Sequence, residues 1–158
     1  RGALNQISGS ARYDAILLSS VFEHLVAHTQ WLTEAGRLLK SNGLLISLQP
    51  TAPFAKLMGT LFRFGSTRLP LPQVHQVFWP PWHTVLFSLQ GMVSLAERRG
   101  FALVEIRPAP IQCEQGLTGI LQRILSFVNT IGVYLFGVKW PLLVGHIFVF
   151  RKRGEAGA

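Results

Sequence analysis

Residues 13–50 read YDAILLSSVFEHLVAHTQWLTEAGRLLKSNGLLISLQP. Tyr13 to Ser19 is a short apolar run with one acidic residue, Asp14, near its start, as in a buried strand. Leu25, Trp31, Leu32, Ala35, Leu38 and Leu39 then recur at helical spacing and give a single apolar face. Lys40 falls where a cation suits the end of a helix, and Asn42-Gly43 supplies residues that tolerate a left-handed stop. Leu44 to Leu48 is a second apolar run. Strand, helix and strand in this order predict a βαβ unit with a parallel strand pair and a right-handed crossover.

The same stretch carries an ordered set of residues: Tyr13-Asp14, Val21, Glu23-His24, Glu34, Arg37-Leu38-Leu39-Lys40, Gly43 and Pro50. Together they resemble the second half of class I S-adenosylmethionine-dependent methyltransferases. Ser41-Asn42 stands where that family has Pro-Gly, a mild departure because Asn also adopts positive φ. A second block follows about 40 residues later: His83, Phe87-Ser88, Leu95 and Gly100-Phe101. It resembles the later part of the same methyltransferases and comes in the family's order.

The resemblance implies an α/β fold. The sheet would be a partial Rossmann-like methyltransferase sheet of the family's strands four to seven, the last antiparallel and beside the fifth. Arg1 falls in what would be the loop before the fourth strand. Residues 1–153 are therefore expected to be the C-terminal part of a methyltransferase domain, and 154–158 a disordered tail. The glycine-rich loop and the ribose-gripping acidic residue would lie upstream.

The implied cofactor is S-adenosylmethionine. In open α/β sheets ligands bind outside the carboxyl ends of strands, which places the segment after Tyr13–Ser19 at the site. The resemblance puts Leu18, Ser19, Ser20 and Glu23 beside the methionine part of the cofactor. His24 and His83 are the candidate catalytic residues, facing a small-molecule acceptor. Ala3-Leu4 is a candidate adenine contact, with a frayed end as the plain alternative. Glu23 can equally be an acidic residue favoured by a helix N-terminus, and either histidine a packed, hydrogen-bonded one. Some ubiquinone-pathway O-methyltransferases carry Glu-x-x-Glu-His with a divalent cation. Here Ser20 replaces the first Glu, and magnesium prefers carboxylate oxygen in near-octahedral geometry, so no metal is expected.

Composition narrows the alternatives. The 158 residues suffice for one domain with a sizeable core; 49% are hydrophobic and only 14% charged. The net charge of +8 is scattered, with one dense run at Arg151-Lys152-Arg153. No basic patch is interleaved with aromatics, so nucleic acid is not an expected partner. That run reads as a solvated tail or as an attraction to anionic lipid. The single cysteine, Cys113, excludes an internal disulfide and a Cys-rich zinc site and fits a reducing compartment. A cytoplasmic location is expected, with a membrane-peripheral one as the alternative.

Three further segments matter. Pro50 to Pro81 is rich in Pro, Phe and Trp; Ala52 to Phe64 reads as a short amphipathic helix and the rest as a lid over an apolar or aromatic acceptor. Trp82 to Arg107 reads as a helix capped by Ser88 and ended by Gly100, then a strand over 101–106. Residues 117–143 form an apolar insertion whose stripe (Ile120, Ile124, Phe127, Val128, Ile131, Leu135, Val138) is expected to cover the pocket side of the sheet. Its uncharged core of 15 residues, Ile124 to Val138, is too short to span a bilayer. His146 to Arg151 closes the fold as a buried strand. The expected function is methyl transfer to a small acceptor. A non-catalytic membrane-peripheral module using 117–143 is the rival. Another Rossmann-like enzyme, such as a reductase, fits less well because the matches come as two ordered blocks.

Overall fold

The computed structural model describes residues 4–65, 83–111 and 115–154. Cys113, the proposed lid after residue 65, Ala3 and the end of the tail lie outside them. Four strands form one sheet: β1 (Tyr13–Ser19), β2 (Leu39–Pro50), β3 (Phe101–Pro108) and β4 (Gly145–Lys152), in the spatial order β1-β2-β4-β3. β1 and β2 are parallel, while β4 is antiparallel to both β2 and β3. The carboxyl ends of β1, β2 and β3 therefore lie along one edge of the sheet. The helices are α1 (His28–Leu38), α2 (Ala52–Gly65), α3 (Leu89–Glu97) and α4 (Gly116–Phe136).

Strand register decides which side chains share a face. Leu45 pairs with Phe150, Ser47 with Phe148 and Gln49 with His146, and all six are buried. Ile16 and Leu18 of β1 pair with Leu45 and Ser47 on the same face. Leu32 and Ala35 of α1 and Met92 and Ala96 of α3 pack onto it with Phe101. The other face is covered less: Ile46, Leu48, Ile147 and Val149 are half-buried and Leu17 is exposed.

The α1–β2 junction departs from the sequence reading. The helix stops at Leu38, and Leu39 and Lys40 belong to β2. Long-range bonds cause this. Arg12 N–H donates to the Leu38 carbonyl at 2.8 Å, and Lys152 Nζ donates to the Leu39 carbonyl at 3.0 Å. Lys40 pairs with Asp14 at 2.8 Å across the strands. Between the Tyr13–Leu39 and Ala15–Leu44 pairs the register shifts, and Asn42 takes up the bulge with φ of 63°. Gly43 is needed there: a Cβ would lie 3.0 Å from the Lys40 carbonyl oxygen and 3.2 Å from that of Asp14.

α3 follows its local signals. The Ser88 side chain accepts from Gly91 N–H, and Gly100 takes φ of 83° after the helix. α2 spans the amphipathic stretch read from the sequence and buries Phe54.

The insertion before β4 is helical, but its apolar stripe does not cover the sheet. Ile120, Ile124, Phe127, Ile131 and Leu135 are exposed, whereas Asn129 is buried. Asn129 Oδ1 accepts from Trp140 Nε1 at 3.1 Å, and Trp140 lies so close to Gly132 that a Cβ there would be 2.3 Å from the indole. This local clamp orients α4 with Gly119, Asn129 and Gly132 inward, while Arg123 and Thr130 stay exposed. No described helix is long and apolar enough to cross a membrane.

β2 and β4 approach closely where Pro50 pairs with Gly145. A Cβ on Gly145 would sit 2.7 Å from the Gln49 carbonyl oxygen. Gly145→Ala is expected to cost about 1–3 kcal/mol through forced separation of the strands, read as a lower urea midpoint. An unchanged midpoint would show that the strands do not meet this tightly.

Candidate functional site

β1 ends at Ser19, and Ser20 turns the chain with φ of 50° while its N–H donates to the Leu48 carbonyl at 2.8 Å. A single 3-10 turn, Phe22–His24, follows. Phe22 is fully buried and anchors the turn, with edge-on contacts to His28 and Trp31 and a tilted contact to Phe87. His28 Nε2 lies 3.0 Å from the Phe22 carbonyl and donates to it.

The segment beginning at His83 is tied to this turn through Thr84. The Thr84 hydroxyl lies 2.7 Å from the carbonyls of both Glu23 and Leu25, and its backbone N–H donates to Glu23 at 2.9 Å. Ala52 N–H at the start of α2 donates to the Phe87 carbonyl at 2.9 Å. These bonds place His83 on His24: the rings stack with centroids 5.0 Å apart and planes 20° from parallel. Residues 59 apart in sequence thus meet at the carboxyl end of β1.

Glu23 completes the cluster. Glu23, His24 and His83 each offer one ligand-capable atom, all within 4.8 Å of one another. Glu23 is 1% exposed, and neither carboxylate oxygen has a hydrogen-bond partner among the described residues. Its nearest charge partner is His24 Nε2, 3.9 Å away. Burial pushes the Glu23 carboxyl above its ordinary value, against the smaller lowering effects of its own backbone N–H and of His24. Burial, then the proximity of His24, pushes the His83 imidazole below its ordinary value. The Nδ1 of His83 is buried and has no partner among the described residues. One carboxylate and two imidazoles make a poor magnesium site and belong to the donor class of borderline ions.

The other candidate residues separate. Ser19 and Ser20 are exposed at the strand end. Leu18 packs into the core. Leu4 lines a cleft with Leu25, Val26 and Trp31, on the side of α1. Thr84 had no distinguishing sequence signal; its role follows from two carbonyls that only the folded turn brings together. Val21, Val26 and Val85, all exposed, are sequence neighbours of the trio and its clamp.

No protein-family model and no curated protein matches the sequence. Solved structures do match. A putative sarcosine dimethylglycine methyltransferase from Galdieria sulphuraria superposes with a TM-score of 0.55 at 16% identity, covering 97% of this chain and 57% of that one. A SAM-dependent methyltransferase from Archaeoglobus fulgidus gives 0.55 at 14%, covering 94% and 63%. The Burkholderia thailandensis 1,6-didemethyltoxoflavin-N1-methyltransferase, with S-adenosylhomocysteine bound, gives 0.52 at 13%, covering 95% and 48%. The chain thus spans about half to two-thirds of the length of these structures.

The two pKa shifts make stability depend on pH in opposite senses. A His83 held below its ordinary value binds a proton less readily folded than unfolded. Its contribution is complete above about pH 6.5 and is lost as pH falls below that value. A raised Glu23 works the other way: above about pH 4.5 the unfolded chain ionises first, so rising pH opposes folding. Glu23→Gln is therefore expected to raise the thermal midpoint at pH 7 by about 2 °C or more, with the gain shrinking towards pH 4. Equal midpoints at both pH values would mean that the buried carboxylate is compensated. These structures superpose over 94–97% of this chain, which carries a four-stranded sheet with one antiparallel strand, and on that ground the chain has the fold of the class I S-adenosylmethionine-dependent methyltransferases.

Proposed function

We propose that this chain is the C-terminal part of an S-adenosylmethionine-dependent methyltransferase acting on a small, apolar or aromatic acceptor. The observation that carries the reading is the stacked His24–His83 pair beside a buried Glu23 that has no hydrogen-bond partner among the described residues, at the carboxyl end of β1 in a methyltransferase-fold sheet. The fold and the cofactor-bearing relative support the choice of cofactor. The exposed Ser19 and Ser20, on a tight turn, fit its charged amino-acid end.

The cofactor supplies an electrophilic methyl group on a sulfonium. The protein's part is chiefly alignment, which removes the entropic portion of the barrier. His83, kept neutral by burial, accepts the proton that an O–H or N–H acceptor gives up as it attacks. His24 holds the His83 ring by stacking, and the Glu23 carboxylate nearby favours the positive charge that forms. The exposed Val21, Val26 and Val85 suit an apolar acceptor better than a charged one. No metal enters this scheme.

The glycine-rich loop and the ribose-gripping acid of the family are not among these residues. Calorimetric titration with S-adenosylmethionine should therefore show weak binding by the 158-residue chain and tight binding by a chain extended upstream. In the extended protein, His83→Ala and His24→Ala are expected to lower turnover by about 10²–10⁴-fold while leaving cofactor affinity within a few-fold. Full turnover in His83→Ala would remove the base. Turnover abolished by a chelator and restored by one divalent ion would replace the proton-transfer scheme with a metal-assisted one. A non-catalytic membrane-peripheral module is the second reading. The exposed apolar side of α4 favours lipid contact, which is compatible with catalysis.

A further inference from the structure

α4 is oriented against the usual rule. A surface helix normally turns its apolar stripe to the core and its polar side to water. Here Asn129 is buried, and Ser126, Asn129 and Thr130 line a cleft against Pro108, Pro110 and Leu143. The outward side carries Ile120, Ile124, Phe127, Val128, Ile131 and Leu135, between 37% and 67% exposed, with Tyr134 at 89%. The Asn129–Trp140 hydrogen bond, the Gly132–Trp140 approach and the stacking of Phe136 on Trp140 at 5.1 Å lock this orientation. Rolling the stripe inward would break all three. A run of exposed apolar side chains of this extent calls for a covering partner.

Charge selects the partner. Between Gln115 and Leu143 the chain has no Asp or Glu, whereas it has Arg123 and Lys139, both exposed; Arg151, Lys152 and Arg153 lie beside the starts of β2 and β3, at the opposite edge of the sheet, and take no part. An apolar stripe in an all-cationic segment matches an anionic lipid surface, where the stripe enters the acyl boundary and the cations meet headgroups. α4 is 21 residues long and no described helix can cross a bilayer, so it lies along the membrane. It also starts from the carboxyl end of β3, the sheet edge at which Glu23 and His24 stand.

We infer that α4 docks flat on anionic phospholipid through Ile120–Leu135, presenting the carboxyl edge of the sheet to the membrane so that a lipid-dissolved acceptor reaches His24 and His83 from the bilayer. The access route rests on the methyl-transfer reading; the docking does not.

The test is flotation of the protein with vesicles of phosphatidylcholine alone or mixed with phosphatidylserine, at low and high salt. The wild type is expected to float with the mixed vesicles and to partition roughly tenfold less with phosphatidylcholine or at high salt. Phe127→Ser/Ile131→Ser/Leu135→Ser, all at exposed positions, should stay at the bottom while keeping the wild-type circular dichroism and thermal midpoint. Partition that the triple variant retains, or that never occurs, overturns the proposal. So does a wild-type dimer in light scattering that the triple variant converts to monomer without lipid, because a second copy then covers the stripe. If lipid binding is as expected but the upstream-extended protein fails to bind S-adenosylmethionine, the methyl-transfer reading falls and the docking stands. An extended protein that binds the cofactor but never floats gives the converse result.

Discussion

The structure depends on β4 being paired on both sides. β2 and β3 do not pair with each other; they are joined only through the antiparallel strand between them. Phe148 and Phe150 of that strand stack in parallel at 6.0 Å and form the floor on which α1 and α3 pack. Its first residues do a second job. His146 Nε2 donates to the Val138 carbonyl at 2.7 Å, so Nδ1 carries no proton and accepts from the Thr51 hydroxyl at 2.8 Å. One imidazole thereby joins the foot of α4, the start of β4 and the exit of β2, and burial keeps it neutral by lowering its pKa.

The elements legible in the sequence are those whose signals are local. β1 and β4 are apolar runs bounded by polar residues. α3 is bracketed by Ser88 and Gly100; the structure uses the first as the N-cap and the second, at positive φ, in the turn after the helix. The α1–β2 boundary was misplaced because Arg37-Leu38-Leu39-Lys40 is helix-compatible on its own. What ends the helix is capture of the Leu38 and Leu39 carbonyls by Arg12 and Lys152, and periodicity says nothing of partners that far away. α4 teaches the same lesson about direction. Spacing revealed its stripe but not which way the stripe faces, since Trp140, beyond the helix, decides that through Asn129 and Gly132.

The candidate site was half legible. Glu23-His24 and His83 stand out by the company they keep in two ordered blocks. That they meet could not be derived from spacing, because the contact is made by Thr84, an ordinary residue next to a conspicuous one. Nor does sequence show that Glu23 is buried at the strand end and lacks a hydrogen-bond partner among the described residues. The cluster stands on a poorly compensated charge, which locally opposes the stability the surrounding core supplies.

The topology also has a consequence for biosynthesis. β4 is made after the other three described strands, yet it lies between two of them. Until it emerges, the facing edges of β2 and β3 have no partner, and the two pieces of sheet remain unjoined behind an insertion with an apolar exterior. Non-local pairing of this kind is slow, and open strand edges are templates for other chains. Pausing of translation after β3 would prolong the interval in which the nascent chain is prone to aggregation, whereas completion of β4 closes both edges in one step.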